Sequence, residues 1–250
     1  MKVALFITCL TDSFYPRAGI AVVKVLEDLG CQVEFPAGQT CCGQPMYNNG
    51  MHDDARELAR KMIGEFAACE HVVTPSGSCA AMVREYYPDL FDRGSSARAA
   101  AVAMADKTYE FVEFLSRVLK VDLASWGVKW PGSATYHYSC HLRGLGQTDE
   151  AERVIRAVGG LEYRPLEKKE QCCGFGGTFA TKFPSISGAL VRDKVECIRA
   201  SGAETLICND AGCAMNISGA CRREGAPVRL ISLAEVLAEG LGLLPTEAES

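Results

Sequence analysis

Apolar positions along the chain follow two alternating rhythms, and the alternation runs through twice in the same order. A short β-favouring run, VALFITC at 3–9, ends in a cysteine. At 18–30, AGIAVVKVLEDLG spaces its apolar residues by three and four and closes on glycine, the pattern of an amphipathic helix with its C-terminal stop. HDDARELARKMIGEFAACE at 52–70 predicts a second helix, and HVVTPSGSC at 71–79 a second strand ending in cysteine. The later pass reads ATYHYSC at 134–140, DEAERVIRAVGG at 149–160, SGALVRDKVECIRASGAE at 187–204 and TLICNDAGC at 205–213. Strand alternating with helix predicts right-handed crossovers and a small, mostly parallel sheet flanked by helices in each copy, an α/β fold.

A repeat this long is a duplicated domain and not a solenoid, whose units run about 20 to 50 residues. KTYEFVEFLSRVL at 107–119 matches VRLISLAEVLAEGL at 228–241 in character, so it closes the first copy. The expected division is 1–125 and 126–250. The acidic tail after Pro245 is expected to fray.

The cysteines give the repeat its register. Cys9, Cys41 and Cys42 recur 131 positions later as Cys140, Cys172 and Cys173, and Cys79 recurs 134 positions later as Cys213. Both adjacent pairs continue into glycine, Gly43 and Gly174, which suits loops needing a positive φ or close backbone approach. In open parallel sheets, ligands gather beyond the carboxyl ends of the strands, where this reading puts all eight cysteines. Four convergent thiolates suit zinc or an iron–sulfur cluster. Buried cysteine as plain core filling explains a single residue but not two quartets in parallel. Cys31, Cys69, Cys197, Cys208 and Cys221 have no counterparts and read as core or surface thiols, with Cys208 near enough to Cys213 to join the second site. His137 and His141 flank Cys140 and are candidates to hydrogen-bond a cluster sulfur or assist proton movement.

Composition narrows the classes without adding a new one. The 250 residues are 48% hydrophobic and 23% charged, ordinary for a globular chain. Thirteen cysteines, an odd number, fit metal or redox use in a reducing cytoplasm better than a disulfide framework. A net charge of −5 lacks the basic footprint of a nucleic-acid binder. No apolar run approaches the roughly 20 residues of a membrane span, so a soluble, cytoplasmic protein without direct membrane insertion is expected. GFGGTF lacks the order of a dinucleotide fingerprint, no Walker lysine motif occurs, and Ser76 and Ser78 have no histidine nearby in sequence to make a hydrolase.

Two copies of a cysteine, a CCG and a further cysteine resemble the cysteine-rich CCG domain pair of heterodisulfide reductase and of the glycolate oxidase iron–sulfur subunit. The text of TCLTDSFYPRAG, FPAGQTCCGQPMYNNG, CCGFGGTFATKFPSISGAL, RDKVECI and DAGCAMNISG is most similar to the lactate utilization protein A family, over nearly the whole chain. That resemblance implies an iron–sulfur, electron-transferring, non-autonomous subunit of an oxidoreductase that converts L-lactate to pyruvate. It would work with other subunits of the system, including a ferredoxin-like iron–sulfur subunit. It implies Cys9, Cys41, Cys42, Cys79, Cys140, Cys172, Cys173 and Cys213 as ligands, a [4Fe-4S] cluster at least in the second domain, and zinc as the alternative at one site. The fifth cysteine of heterodisulfide reductase-type sites is missing: Ser76 and Asp210 stand three residues before the last cysteines, Met82 and Asn216 three after. A zinc-holding scaffold, a thiol redox sensor, and a subunit serving glycolate or another 2-hydroxy acid are the competing readings.

Overall fold

The computed structural model describes residues 1–226 and 228–246; the tail expected to fray lies, from residue 247 on, outside them. It contains two four-stranded sheets in which every paired strand is parallel. The first holds β1 (Lys2–Leu5), β2 (Gln32–Glu34), β3 (Val72–Thr74) and β4 (Thr108–Glu110), ordered β2-β1-β3-β4. The second holds β5 (Lys129–Tyr136), β6 (Gly159–Tyr163), β7 (Thr205–Ile207) and β8 (Arg229–Ile231), ordered β6-β5-β7-β8. The chain reverses its direction of winding beside the first strand of each sheet, and that switch point is where such folds open a crevice. No helix among the described residues is long and apolar enough to cross a membrane.

The helices follow the predicted periodicity. Pro16–Asp28 buries Ala18, Ala21, Val22, Val25 and Leu26, and each of the larger three contributes roughly 1.5–3 kcal/mol by leaving water. Its proline starts the first turn, where the missing N–H costs nothing. The long helix Pro184–Ser201 stops at Gly202, which turns left-handed at φ 64°. One boundary differs from the sequence expectation. The helix expected over 149–160 spans only Glu150–Ala157, because Gly159 and Gly160 enter β6; the Gly159 N–H bonds Val128 O at 2.9 Å.

The two sheets share one apolar cluster, in which Val22, Val25, Leu26 and Phe114 pack with Trp130, Ile155, Val236 and Leu237. Each half's closing segment lies against the other half's first long helix. Leu233–Gly240 packs on Pro16–Asp28, and Phe111–Glu113 on Glu150–Ala157. Ion pairs repeat the exchange: Arg17 meets Glu239 at 2.9 Å and Glu235 at 3.5 Å, while Arg117 meets Glu150 at 2.9 Å.

Candidate metal centre

Both quartets face a single cavity of about 300 Å³ at the carboxyl ends of the strands. Its wall includes Cys9, Cys41, Cys42 and Cys79 from the first half and Cys140, Cys172, Cys173 and Cys213 from the second. Cys9 and Cys140 open short helices directly after their strands, and Cys79 and Cys213 sit in the first turns of Gly77–Ala81 and Ala211–Arg223. The strand tips therefore deliver these thiols by way of helix starts.

Within each quartet the sulfurs are close. Cys9 Sγ lies 3.7 Å from Cys41 Sγ, Cys42 Sγ lies 3.3 Å from Cys79 Sγ, and Cys173 Sγ lies 3.1 Å from Cys213 Sγ. The glycine of each CCG loop has positive φ, 84° at Gly43 and 82° at Gly174. The carbonyl of the second cysteine is anchored from behind: Tyr87 OH donates to Cys42 O at 2.9 Å, and Asn216 Nδ2 donates to Cys173 O at 2.8 Å.

Protonation is divided unequally inside each pair. Hydrogen bonds from Cys42 and Cys9 hold the Cys41 thiol down to about 3, and hydrogen bonds from Cys140 and Cys173 hold Cys172 down to about 2. Gly174 N–H reinforces the second case, donating to Cys172 Sγ at 3.3 Å. The donors of these bonds, Cys9, Cys42, Cys140 and Cys173, are pushed up in turn, with burial adding to the rise. Each loop thus presents one thiolate braced by protonated neighbours, protons that a bound cation displaces.

The halves are stitched together around the cavity. Asp210 accepts from Ser76 Oγ at 3.1 Å and Ser78 N–H at 3.0 Å, and Asn49 Oδ1 accepts from Thr178 Oγ1 at 3.0 Å and Lys182 Nζ at 2.6 Å. His141 reaches the first half, its Nε2 3.3 Å from Gln44 Nε2, with its Nδ1 3.8 Å from Cys140 Sγ. His137 is fully buried; burial and the neighbouring Lys194 ammonium pull its pKa down to about 4, so the ring is neutral. Cys208 lies off the cavity, lining a separate small groove with Thr11, Tyr15 and Ser232, and its Sγ–H donates to Asp210 O at 3.5 Å. Cys31, Cys69, Cys197 and Cys221 take no part in the cavity wall. Sequence reasoning missed Asp210 and Asn49 as bridges between halves, because nothing local in their motifs says what they meet across the interface.

The donor set fits a soft metal: sulfur ligands, one braced thiolate per loop, and free volume beside them. A single tetrahedral zinc at about 2.3 Å from each sulfur sets the sulfurs about 3.8 Å apart, close to the Cys9–Cys41 separation of 3.7 Å. An iron–sulfur cluster needs the sulfurs to open, and the cavity gives them room.

The model of the cysteine-rich domain, CCG, matches the chain twice, over residues 3–84 and 134–218. "Lactate utilization protein A" of Bacillus licheniformis is 48% identical over 238 residues, covering 95% of this chain and 99% of that protein. The chain belongs to the lactate utilization protein A family. A second member, from Geobacillus thermodenitrificans, is 49% identical over 95% of this chain and 98% of its own length. Among solved structures, a putative Asp/Glu racemase from Yersinia pestis superposes at a TM-score of 0.39 with 12% identity, covering 96% of this chain and 97% of its own. Each of the two segments matched by the cysteine-rich domain contains one full quartet, so the repeat seen in the cysteine spacing and the domain of the family are the same unit.

Proposed function

We propose that this chain is the iron–sulfur, electron-transferring subunit of a multi-subunit system that oxidises L-lactate to pyruvate. The observation that carries it is the convergence of two cysteine quartets on one cavity with free volume in front of both. In this reading Cys9, Cys41, Cys42 and Cys79 hold one group and Cys140, Cys172, Cys173 and Cys213 the other, each from its own cysteine-rich domain, 1–125 and 126–250. The second domain takes a [4Fe-4S] cluster, whose contribution when bound is reversible one-electron storage. The chain's own residues do the rest. The CCG glycines fix the loop path, Tyr87 and Asn216 hold the loop carbonyls, and Asp210, Asn49 and Gln44 keep the two centres at a set separation. Partner subunits, a ferredoxin-like one among them, supply substrate oxidation and the onward electron path in the cytoplasm.

The Cys9–Cys41 sulfur separation of 3.7 Å favours a second reading, zinc at one centre serving as a structural tie. Chain purified without air separates the two. Iron and sulfide in at least one cluster's quantity, with a paramagnetic signal on dithionite reduction that disappears in Cys173→Ser, support the electron carrier. Zinc alone with no signal in either oxidation state rules it out.

A further inference from the structure

The two quartets are not equivalent, and the difference is concentrated behind the second. Phe6 and His137 occupy the same rung of their sheets: Phe6 N–H bonds Val73 O at 2.8 Å, and His137 N–H bonds Ile207 O at 2.9 Å. Both are buried, Phe6 at 0% and His137 at 1% exposure. Phe6 is at home there, edge-on to Phe66 with ring centroids 5.8 Å apart. Among the described residues, His137 has no hydrogen-bond partner at Nδ1 or at Nε2. An imidazole with both nitrogens buried and unsatisfied costs stability without return, and buried polar atoms in folded chains are nearly always partnered.

The unpartnered ring has company. Among the described residues, one trio of ligand atoms lies within 4.8 Å of one another, and it consists of His137, Cys173 and Cys213. The same asymmetry extends outward. Lys194 is buried where the first half buries Met62, as the glycine surroundings show: a Cβ on Gly43 would meet Ala55 and Leu58, and one on Gly174 would meet Ser187 and Leu190, setting the helices in register. The Lys194 ammonium caps the carbonyls of Lys168 and Lys169 at 3.3 and 3.4 Å. An apolar wall of Phe6 and Met62 backs the first quartet, and a basic wall of His137 and Lys194 backs the second.

We propose that His137 is a direct nitrogen donor to the metal of the second centre, making it a mixed thiolate–imidazole site while the first is thiolate only. A metal ion touching Cys173 and Cys213 satisfies one orphaned ring nitrogen, which none of the described residues does. Neutral imidazole suits zinc and iron alike. Exchanging the aromatic rung of the first half for a donor gives the second half five donors against four. This rests on the second quartet being a metal centre, but not on the metal being iron.

Cobalt(II) titration of the metal-free chain tests it, in a Cys41→Ser/Cys42→Ser background that silences the first quartet. The parent is expected to bind one cobalt with ligand-field bands of a sulfur–nitrogen site. His137→Phe, a ring the fold already accepts at Phe6, should move those bands to longer wavelength and weaken cobalt binding roughly tenfold or more. Without metal, the variant should melt no lower than the parent, since it removes an unsatisfied polar group. Unchanged bands and affinity overturn the histidine donor and leave the metal centre standing. A lower melting point of the metal-free variant with unchanged bands assigns His137 to packing and also overturns it. A parent that takes up no cobalt overturns both the donor and the metal centre beneath it.

Discussion

Gly43 and Gly174 hold matching places in the two CCG loops, yet alanine should cost them different amounts. Both have positive φ, so a side chain costs about 1–2 kcal/mol at either. At Gly43 a Cβ would find its nearest neighbours at 3.5 Å, an ordinary contact, whereas at Gly174 it would meet the backbone oxygen of Ser187 at 2.6 Å. Gly174→Ala should therefore be the more destabilising by about 1–3 kcal/mol, with metal uptake by the second quartet reduced, and urea unfolding of the metal-free variants measures the gap. Equal losses would mean that Ser187 yields freely. The eight ligand candidates were legible in the sequence because spacing alone singles them out: Cys41 and Cys42 share their text with Cys172 and Cys173. The isolation of His137 was not. A histidine three residues before Cys140 reads the same whether its ring is hydrogen-bonded or orphaned, and only the packing of β5 against β7 decides.

Strands and helices were legible wherever the period was long enough, as in Pro16–Asp28 and Pro184–Ser201. Gly159 and Gly160 have the look of a helix stop, because the pairing that claims them, with Val128 and its neighbours, is far away in sequence. The end of β4 shows another feature that pattern does not expose. Glu110 is the N-cap of Phe111–Glu113, its Oε2 accepting the N–H groups of Val112 at 2.9 Å and Glu113 at 3.2 Å. Those bonds favour the carboxylate, but burial dominates and pushes its pKa up to about 8. Between the ordinary carboxylate value near 4.3 and about 8, the folded chain keeps a proton that the unfolded chain has lost. Stability therefore falls as pH rises through that window, by an amount on the order of 5 kcal/mol from this residue. Glu110→Gln keeps an acceptor for the cap and removes the titration, so urea unfolding at pH 5 and pH 9 should show a smaller loss in the variant than in the parent. Parallel pH profiles would show that the site is wetter than its packing implies.

Two parallel sheets were expected and are present, but the way they face each other was not readable from the displacement of 131 residues, which establishes likeness and says nothing of orientation. Glu239 makes the union concrete. Its side chain is fully buried and takes Arg17 at 2.9 Å from the first half, Arg229 at 3.2 Å and Trp130 Nε1 at 2.8 Å. Removing it takes the shared buried acceptor from Arg17, Arg229 and the Trp130 N–H, so Glu239→Ala should lose about 3–5 kcal/mol and Glu239→Gln less. Because one apolar cluster runs through both halves, denaturation of the metal-free chain should be a single transition by tryptophan fluorescence and by far-ultraviolet dichroism, and Glu239→Ala should move it without splitting it. Two separated transitions would mean that the halves hold themselves up.

The exchange of closing helices also imposes an order on manufacture. Pro16–Asp28 leaves the ribosome well before Leu233–Gly240, which packs on it. Throughout synthesis the first quartet sits on a half whose apolar flank is bare, the state in which nascent chains attract chaperones and aggregate. A message cut short before Leu233 would yield a chain with all eight candidate ligands and an uncovered flank beneath the first four.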